Sequence, residues 1–288
     1  MSLSQMQMCN ISEAVLNSMT EEQLAIWKKQ EGVPVIFSRD RYWEELRKGF
    51  YQPIHLLARL SAEQTKRPTP WCWGYRAALC DQDSATVNGS VAVHLLSEVK
   101  DYDIKTLFRK RRTHLRKCFK LVNIVQLTGP EILQKQGYEV LQSALQRTQH
   151  ISPPSIEDYR AGLRAYTTNK HRLVLAGLID DRLGGYLDGW AIDGTAYINN
   201  VYIATKALPT SIGTGLIFEF VQACRRSGTI HEVVYGQHSR EDPALCQFKE
   251  AMRFPVKQIP AQAKIAPIIR EYIRWRRPHA YYRLTGHD

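Results

Sequence analysis

The sequence predicts an α+β protein built on a mixed sheet, and three observations lead there. Three strand-like runs, residues 171–179, 183–192 and 195–204, are separated only by Asp180-Asp181-Arg182 and Asp193-Gly194, the spacing of an antiparallel meander with tight hairpin turns. Two glycines, Gly213 and Gly215, then stand where the third run gives way to a helical pattern, an arrangement that points free backbone N–H groups at an anion. After them come a helix over 215–226, a strand over 232–235, a helix over 242–252 and a strand over 254–259.

The elements before the meander are read in order. Leu16, Met19, Leu24 and Trp27 suit short helices within 11–30, residues 33–37 read as a strand, and 41–50 as a helix turning Trp43, Leu46 and Phe50 to the core. Two apolar runs, 54–60 and 71–80, flank a polar stretch holding Pro68 and Pro70, which predicts a β-ribbon, and 91–96 is a strand. Over 103–122, Ile104, Leu107, Phe108, Leu115, Cys118, Phe119 and Val122 recur at helical spacing, with eight Lys and Arg between Lys105 and Lys120 on the other faces. Those charges are either a solvated face or a contact for a polyanion. A strand at 123–127, a helix at 130–150 opened by Pro130, and a helix at 156–167 after Pro153-Pro154 lead into the meander. The stretch 265–284 mixes Arg270, Arg274, Arg276 and Arg277 with Tyr272, Trp275, Tyr281 and Tyr282.

A chain of 288 residues with 44% hydrophobic and 23% charged side chains is long and apolar enough to bury a full core, which excludes a disordered chain. Its formal charge of +11 is spread over the chain: residues 1–120 hold 19 Lys and Arg against 13 Asp and Glu, a net of +6, leaving +5 to the rest. Such a balance suits phosphate-bearing partners or serves solubility alone. The cysteines, Cys9, Cys72, Cys80, Cys118, Cys224 and Cys246, form no Cys-x-x-Cys pair, and no disulfide and no zinc are expected. Apart from His238, the histidines (His55, His94, His114, His150, His171, His231, His279 and His287) show no metal-ligand spacing. With no signal profile and no long apolar window, the expected address is the cytoplasm, without a transmembrane segment.

The order of elements over 123–260 resembles the GNAT acyltransferase superfamily. Thr210-Ser-Ile-Gly213-Thr-Gly215 is similar to that family's Gln/Arg-x-x-Gly-x-Gly/Ala turn, with Thr210 at the first position. Residues 242–254 resemble the fourth helix and its closing Gly-Phe, with Arg253 in the glycine's place. The Arg-rich run 107–119, and the polar stretch from His238 into a helix with Phe248-Lys249, resemble FemAB-like proteins, which pair two GNAT-like domains. The resemblance implies a degenerate GNAT-like first domain over residues 1–120 and a GNAT acyltransferase domain over 121–288 with a basic, aromatic tail.

What the resemblance implies chemically is transfer of an acyl group from acetyl-CoA or another acyl-CoA to an amine, through a tetrahedral intermediate. That reaction needs an anion cradle, a base for the ammonium and a proton source for the thiolate. The backbone of Ser211, Ile212, Gly213, Thr214, Gly215 and Leu216 supplies the cradle, and Tyr202 and Ile203 on the strand before it flank the pantetheine arm. That strand carries Asn199 and Asn200 where many GNAT enzymes have a carboxylate, and Phe248 occupies the place of the usual tyrosine. The replacements are Asp188 as base, or else an exposed strand carboxylate, and His238 with Tyr235 as base and acid, or else a loop histidine and a core tyrosine. A second reading changes the donor to aminoacyl-tRNA, held by the 105–120 helix and the 270–277 tail. A third is a non-catalytic GNAT-like binding module.

Overall fold

The computed structural model describes residues 7–148, 152–168 and 170–287. In chain order the strands are β1 (Met8–Asn10), β2 (Ser18–Met19), β3 (Val35–Ser38), β4 (Arg41–Arg47), β5 (Phe50–Pro53), β6 (Gly74–Ala78), β7 (Gly89–Leu96), β8 (Asn123–Leu127), β9 (Arg172–Ile179), β10 (Arg182–Ile192), β11 (Thr195–Ile203), β12 (Glu232–Gln237) and β13 (Val256–Ile265). The helices are α1 (Glu21–Gln30), α2 (Arg109–Leu121), α3 (Tyr138–Thr148), α4 (Ile156–Thr168), α5 (Ile212–Ser227), α6 (Pro243–Ala251), α7 (Pro267–Arg276) and α8 (Pro278–Thr285). His150, the expected end of the 130–150 helix, lies outside the described residues. The class is α+β with a mixed sheet, as the sequence predicts.

Two compact units interleave along the chain: the first holds residues up to 18 with 96–233 and 251–253, the second 19–95, 234–250 and 254 onward. The division follows packing and not the midpoint of the sequence, because the last strand and the tail fold with the early strands.

In the first unit β1, β8, β9, β10 and β11 lie side by side, every neighbouring pair antiparallel. Both hairpin turns use left-handed backbone, with Asp180 and Asp181 at φ 47° and 60° and Asp193 and Gly194 at 47° and 81°, the mirror-image turns whose twist matches paired strands. Helix α5 covers this meander with Ile212, Leu216, Ile217, Phe220, Val221 and Cys224, all buried, each large apolar side chain contributing about 1.5–3 kcal/mol. It approaches closely because β10 has no side chain at Gly189, where an added Cβ would lie 2.5 Å from Phe220 Cζ. The basic helix α2 begins later than expected: residues Ile104–Thr106 form a separate 3-10 turn capped by Asp103. It seats Leu115 and Cys118 inward and leaves Arg109, Lys110, Arg116, Lys117 and Lys120 exposed.

The second unit corrects two expectations. Residues 41–50 are not a helix: β4 pairs antiparallel with β3 through a hairpin whose Arg39 and Asp40 have φ 54° and 60°. The spacing of Trp43, Leu46 and Phe50 mimics a helical face, yet Trp43 and Phe50 are fully buried on separate strands and Leu46 is exposed. The expected ribbon of 54–60 with 71–80 is also absent. Instead β5 runs parallel to β6, and residues 54–73 supply the crossover a parallel pair requires. The last strand is longer than expected, because β13 continues to Ile265 and pairs with β7 and then with β6. Trp43, Ala58, Leu60, Cys72, Tyr75 and Ala77 form one core of this unit. The tail folds into α7 and α8, each opened by a proline in its first turn.

Candidate functional site

Asp188 lies in the middle of β10, opposite Asn200 of β11, and the register slips between Asp188 and Gly189. The slip brings both Asn199 and Asn200 to one carboxylate: Asn199 Nδ2 donates to Asp188 Oδ2 at 3.0 Å and Asn200 Nδ2 to Oδ1 at 2.9 Å. Tyr166 of α4 donates its hydroxyl to Oδ1 at 2.5 Å, and Arg172 Nε stands 3.5 Å from Oδ2. The Arg172 guanidinium also lies over the Tyr166 ring, 4.4 Å from its centroid. Asp188 is therefore no exposed strand carboxylate: it is fully buried and saturated with donors. Burial, and then the Asp188 charge, hold the Tyr166 phenol well above its usual pKa. Tyr202 joins this network, donating to Asn200 Oδ1 at 3.2 Å while its ring tilts against Tyr186. Tyr166 and Arg172 escape a sequence search because an aromatic on an amphipathic helix and an arginine at a strand start carry no motif.

The glycine turn is present where the sequence places it, with Ser211 in left-handed backbone at φ 62° and α5 starting at Ile212. Residues 212–216 are all buried. A Cβ on Gly213 would lie 2.7 Å from Ile203 Cδ1, and one on Gly215 would lie 2.4 Å from Cys118 Sγ and 2.8 Å from Ile124 Cδ1. Packing against β11, α2 and β8 is thus sufficient reason for both glycines. A cleft of about 700 Å³ in the same unit is lined by Glu139, Ser143, Arg182, Thr205 and Lys206, and it reaches Ala204 but not residues 211–216.

Tyr235 and His238, on β12 and just beyond it, fall in the second unit. Tyr235 is buried, packs edge-on against Phe254 at 5.6 Å and carries the Lys249 Nζ over its ring at 4.9 Å. Burial raises the phenol's pKa, so the hydroxyl keeps its proton. Lys249, on α6, is 5% exposed, and burial pushes its ammonium down to about 8. His238 Nδ1 stands 3.5 Å from His94 Nε2 and 3.4 Å from Cys246 Sγ; burial, then the nearby Arg240, lower its pKa. His94 and Lys249 were missed as site residues, and the signal for each is a polar residue within an otherwise apolar face: His94 in Val-Ala-Val-His-Leu-Leu and Lys249 in the helix after Leu245.

A basic and aromatic cleft of about 800 Å³ also belongs to the second unit. Arg47, Arg76, Arg276, Arg277 and Arg283 line it together with Trp73 and Tyr272, against the single carboxylate of Glu241. Arg76 is fixed within it, donating to Gln52 Oε1 at 2.9 Å and to the Arg283 carbonyl. Outside the cleft, Trp275 is 78% exposed and Trp71 is 90% exposed, an unusual display for the largest apolar side chains. A neighbouring cleft of about 750 Å³ shares Trp73 and adds Lys66, Arg67, Lys264 and Arg270.

No protein-family model matches the sequence, and no curated protein matches it. Solved structures do match its fold. The crystal structure of FemX is 8% identical with a TM-score of 0.61, covering 91% of this chain and 96% of its own. The C-terminal domain of a protein assigned as a lysylphosphatidylglycerol synthetase of Agrobacterium fabrum is 10% identical with a TM-score of 0.59, over 92% and 96%. A conserved protein of unknown function from Bacteroides thetaiotaomicron is 13% identical with a TM-score of 0.55, over 88% and 95%. The fold is accordingly FemX-like, a double GNAT fold. Among the described residues no helix is long and apolar enough to cross a membrane.

Proposed function

We propose that this protein is an aminoacyl transferase that takes its acyl group from the 3′ end of a charged tRNA and delivers it to an amine. The observation that carries this reading is the cleft with five arginines, Trp73 and Tyr272 beside the exposed Trp275. Guanidinium groups neutralise a phosphate backbone and aromatic faces stack unpaired bases, the combination that suits the single-stranded end of an RNA. The name of the Agrobacterium relative, a lysylphosphatidylglycerol synthetase, is that of an enzyme with an aminoacylated product, which agrees with this class of donor.

The reaction forms a C–N bond between the amine and the ester carbonyl and breaks the bond from that carbonyl to the ribose oxygen. The amine loses a proton and the departing ribose oxygen gains one. In this reading Lys249 is the cation that meets the oxyanion, since it is buried and at neutral pH is mostly charged. Tyr235, kept protonated by burial, is the proton source for the leaving oxygen. Asp188, saturated by Tyr166, Asn199, Asn200 and Arg172, serves this reading as a positioning residue for β11 instead of a free base.

An acyl-CoA donor is the second reading, favoured by the start of α5 at Ile212 directly after Ser211 and a 3-10 turn over Thr205–Thr210 that follows β11. The two separate in one experiment: the protein is supplied with radiolabelled aminoacyl-tRNA or acyl-CoA and a panel of amines, and stable amide product is counted. Amide from aminoacyl-tRNA, lost in Lys249→Ala, is expected. Amide from acyl-CoA alone would replace this reading with the second.

A further inference from the structure

Three segments of the second unit bring nitrogen and sulfur donors to one point. His94 comes from β7, His238 from the end of β12 and Cys246 from α6, and one ligand atom of each lies within 4.8 Å of the others. His94 is fully buried, and its Nδ1 lies 3.0 Å from the Phe254 carbonyl oxygen. A carbonyl only accepts, so that nitrogen carries the proton and Nε2 presents a lone pair. The lone pair faces His238 Nδ1 at 3.5 Å, and Cys246 Sγ stands 3.4 Å from the same nitrogen. The His238 backbone is fixed too, its N–H donating to the Ala92 carbonyl at 2.9 Å.

We propose that His94, His238 and Cys246 form a site for a divalent transition metal of the zinc class, with the fourth position left to water. Zinc bonds of about 2.0–2.1 Å to nitrogen and about 2.3 Å to sulfur, at tetrahedral angles, put neighbouring donors roughly 3.4–3.6 Å apart. The two edges that meet at His238 Nδ1 already fall at that spacing, at 3.5 and 3.4 Å. The chemistry of the set is selective as well: a thiolate and two imidazoles suit zinc, cobalt or copper, and without a carboxylate they hold calcium or magnesium poorly. The Phe254 carbonyl does what outer partners of metal-bound histidines do, fixing the tautomer and aiming the ring. The edge of the Tyr282 ring, 5.9 Å from the His238 ring centroid, closes one side of the imidazole.

Lys249 lies one helical turn beyond Cys246, and its charge opposes a cation. Metal binding removes the thiol proton of Cys246, which otherwise donates to the Ser239 carbonyl at 3.2 Å, and the thiolate offsets the ammonium. A bound ion would staple β7 to β12 and α6, which lie far from it in sequence, and would do so whether or not the protein acts on tRNA.

The full-length protein, stripped with a chelator, is titrated with Co²⁺. One equivalent is expected to raise a thiolate-to-cobalt charge-transfer absorption, Zn²⁺ to abolish it, and either metal to raise the thermal midpoint. Cys246→Ser and His238→Gln should each weaken Co²⁺ binding by about tenfold or more, whereas Cys9→Ser, removing the exposed thiol, should leave it unchanged. Zn²⁺ should also shield Cys246 of the unaltered protein from alkylation, read by mass spectrometry, which serves if a variant does not fold. A folded wild type without the absorption, or an absorption undiminished in Cys246→Ser, overturns the site.

Discussion

Tyr166 hands its hydroxyl hydrogen to Asp188 across 2.5 Å, and Asn199 and Asn200 complete the carboxylate's shell from the neighbouring strand. Asp188 is the one carboxylate within the three strands of the meander, and Arg172 faces it as a counter-ion. Asp188→Ala takes away the acceptor shared by Tyr166, Asn199 and Asn200 and one member of a buried ion pair, which should cost about 3–5 kcal/mol. Tyr166→Phe removes one charge-assisted bond and should cost about 1.5–3 kcal/mol. Urea unfolding of the single and double variants should show strong coupling. Additive losses would mean that the two residues act separately.

The glycine turn gives a second prediction. Because a Cβ at residue 215 meets Cys118 Sγ at 2.4 Å, Gly215→Ala should destabilise the first unit by about 1–3 kcal/mol, as overpacking does. Cys118→Ala opens room for the new methyl group, so the double variant should recover part of the loss. If Gly215→Ala instead melts like wild type and loses affinity for coenzyme A by calorimetry, the turn works as an anion cradle.

Much of this architecture is legible in the residues themselves. The meander could be read because Asp193-Gly194 dictates its turn chemistry and because the strands are sequential neighbours. The 41–50 segment could not, since Trp43, Leu46 and Phe50 fit a helical period by accident and only the Arg39-Asp40 turn, with no glycine to announce it, betrays a hairpin. The pairing of β5 with β6 was equally hidden, as a parallel register depends on a crossover and not on local pattern. Asp188, Tyr235 and His238 stood out by residue type, whereas their partners did not. His94 reaches His238 across 144 positions, and Tyr166 reaches Asp188 only through the packing of α4, distances over which spacing carries no information.

Glu219 on α5 provides a test by pH. Burial raises its carboxyl pKa, and Arg226 opposes the shift only in part. A raised acid binds its proton more readily in the folded state, so its contribution is fully present below the unfolded pKa of about 4.3 and is lost as pH rises through the folded value. Glu219→Gln keeps the shape without the charge. The variant should therefore have a higher urea midpoint than wild type at pH 7, with the difference closing near pH 4. An equal difference at both pH values would assign the effect to packing.

The arginine cleft gives the sharpest separation of function from solubility. If Arg276, Arg277 and Arg47 meet phosphates, each Arg→Ala should weaken tRNA binding and flatten the slope of log K against log salt concentration by about 0.7–0.9. Trp275→Ala should act differently. A stacking side chain releases no counterion, so its loss should cost about 1–3 kcal/mol with the salt slope unchanged. Lys29 and Glu31, at the end of α1, are exposed and line none of these clefts, so Lys29→Ala serves as a matched control of charge. Filter binding of charged tRNA over a range of salt concentrations reads both quantities at once. If Lys29→Ala flattens the slope as much as Arg276→Ala does, the basic surface acts as a diffuse field and the cleft has no particular part in binding.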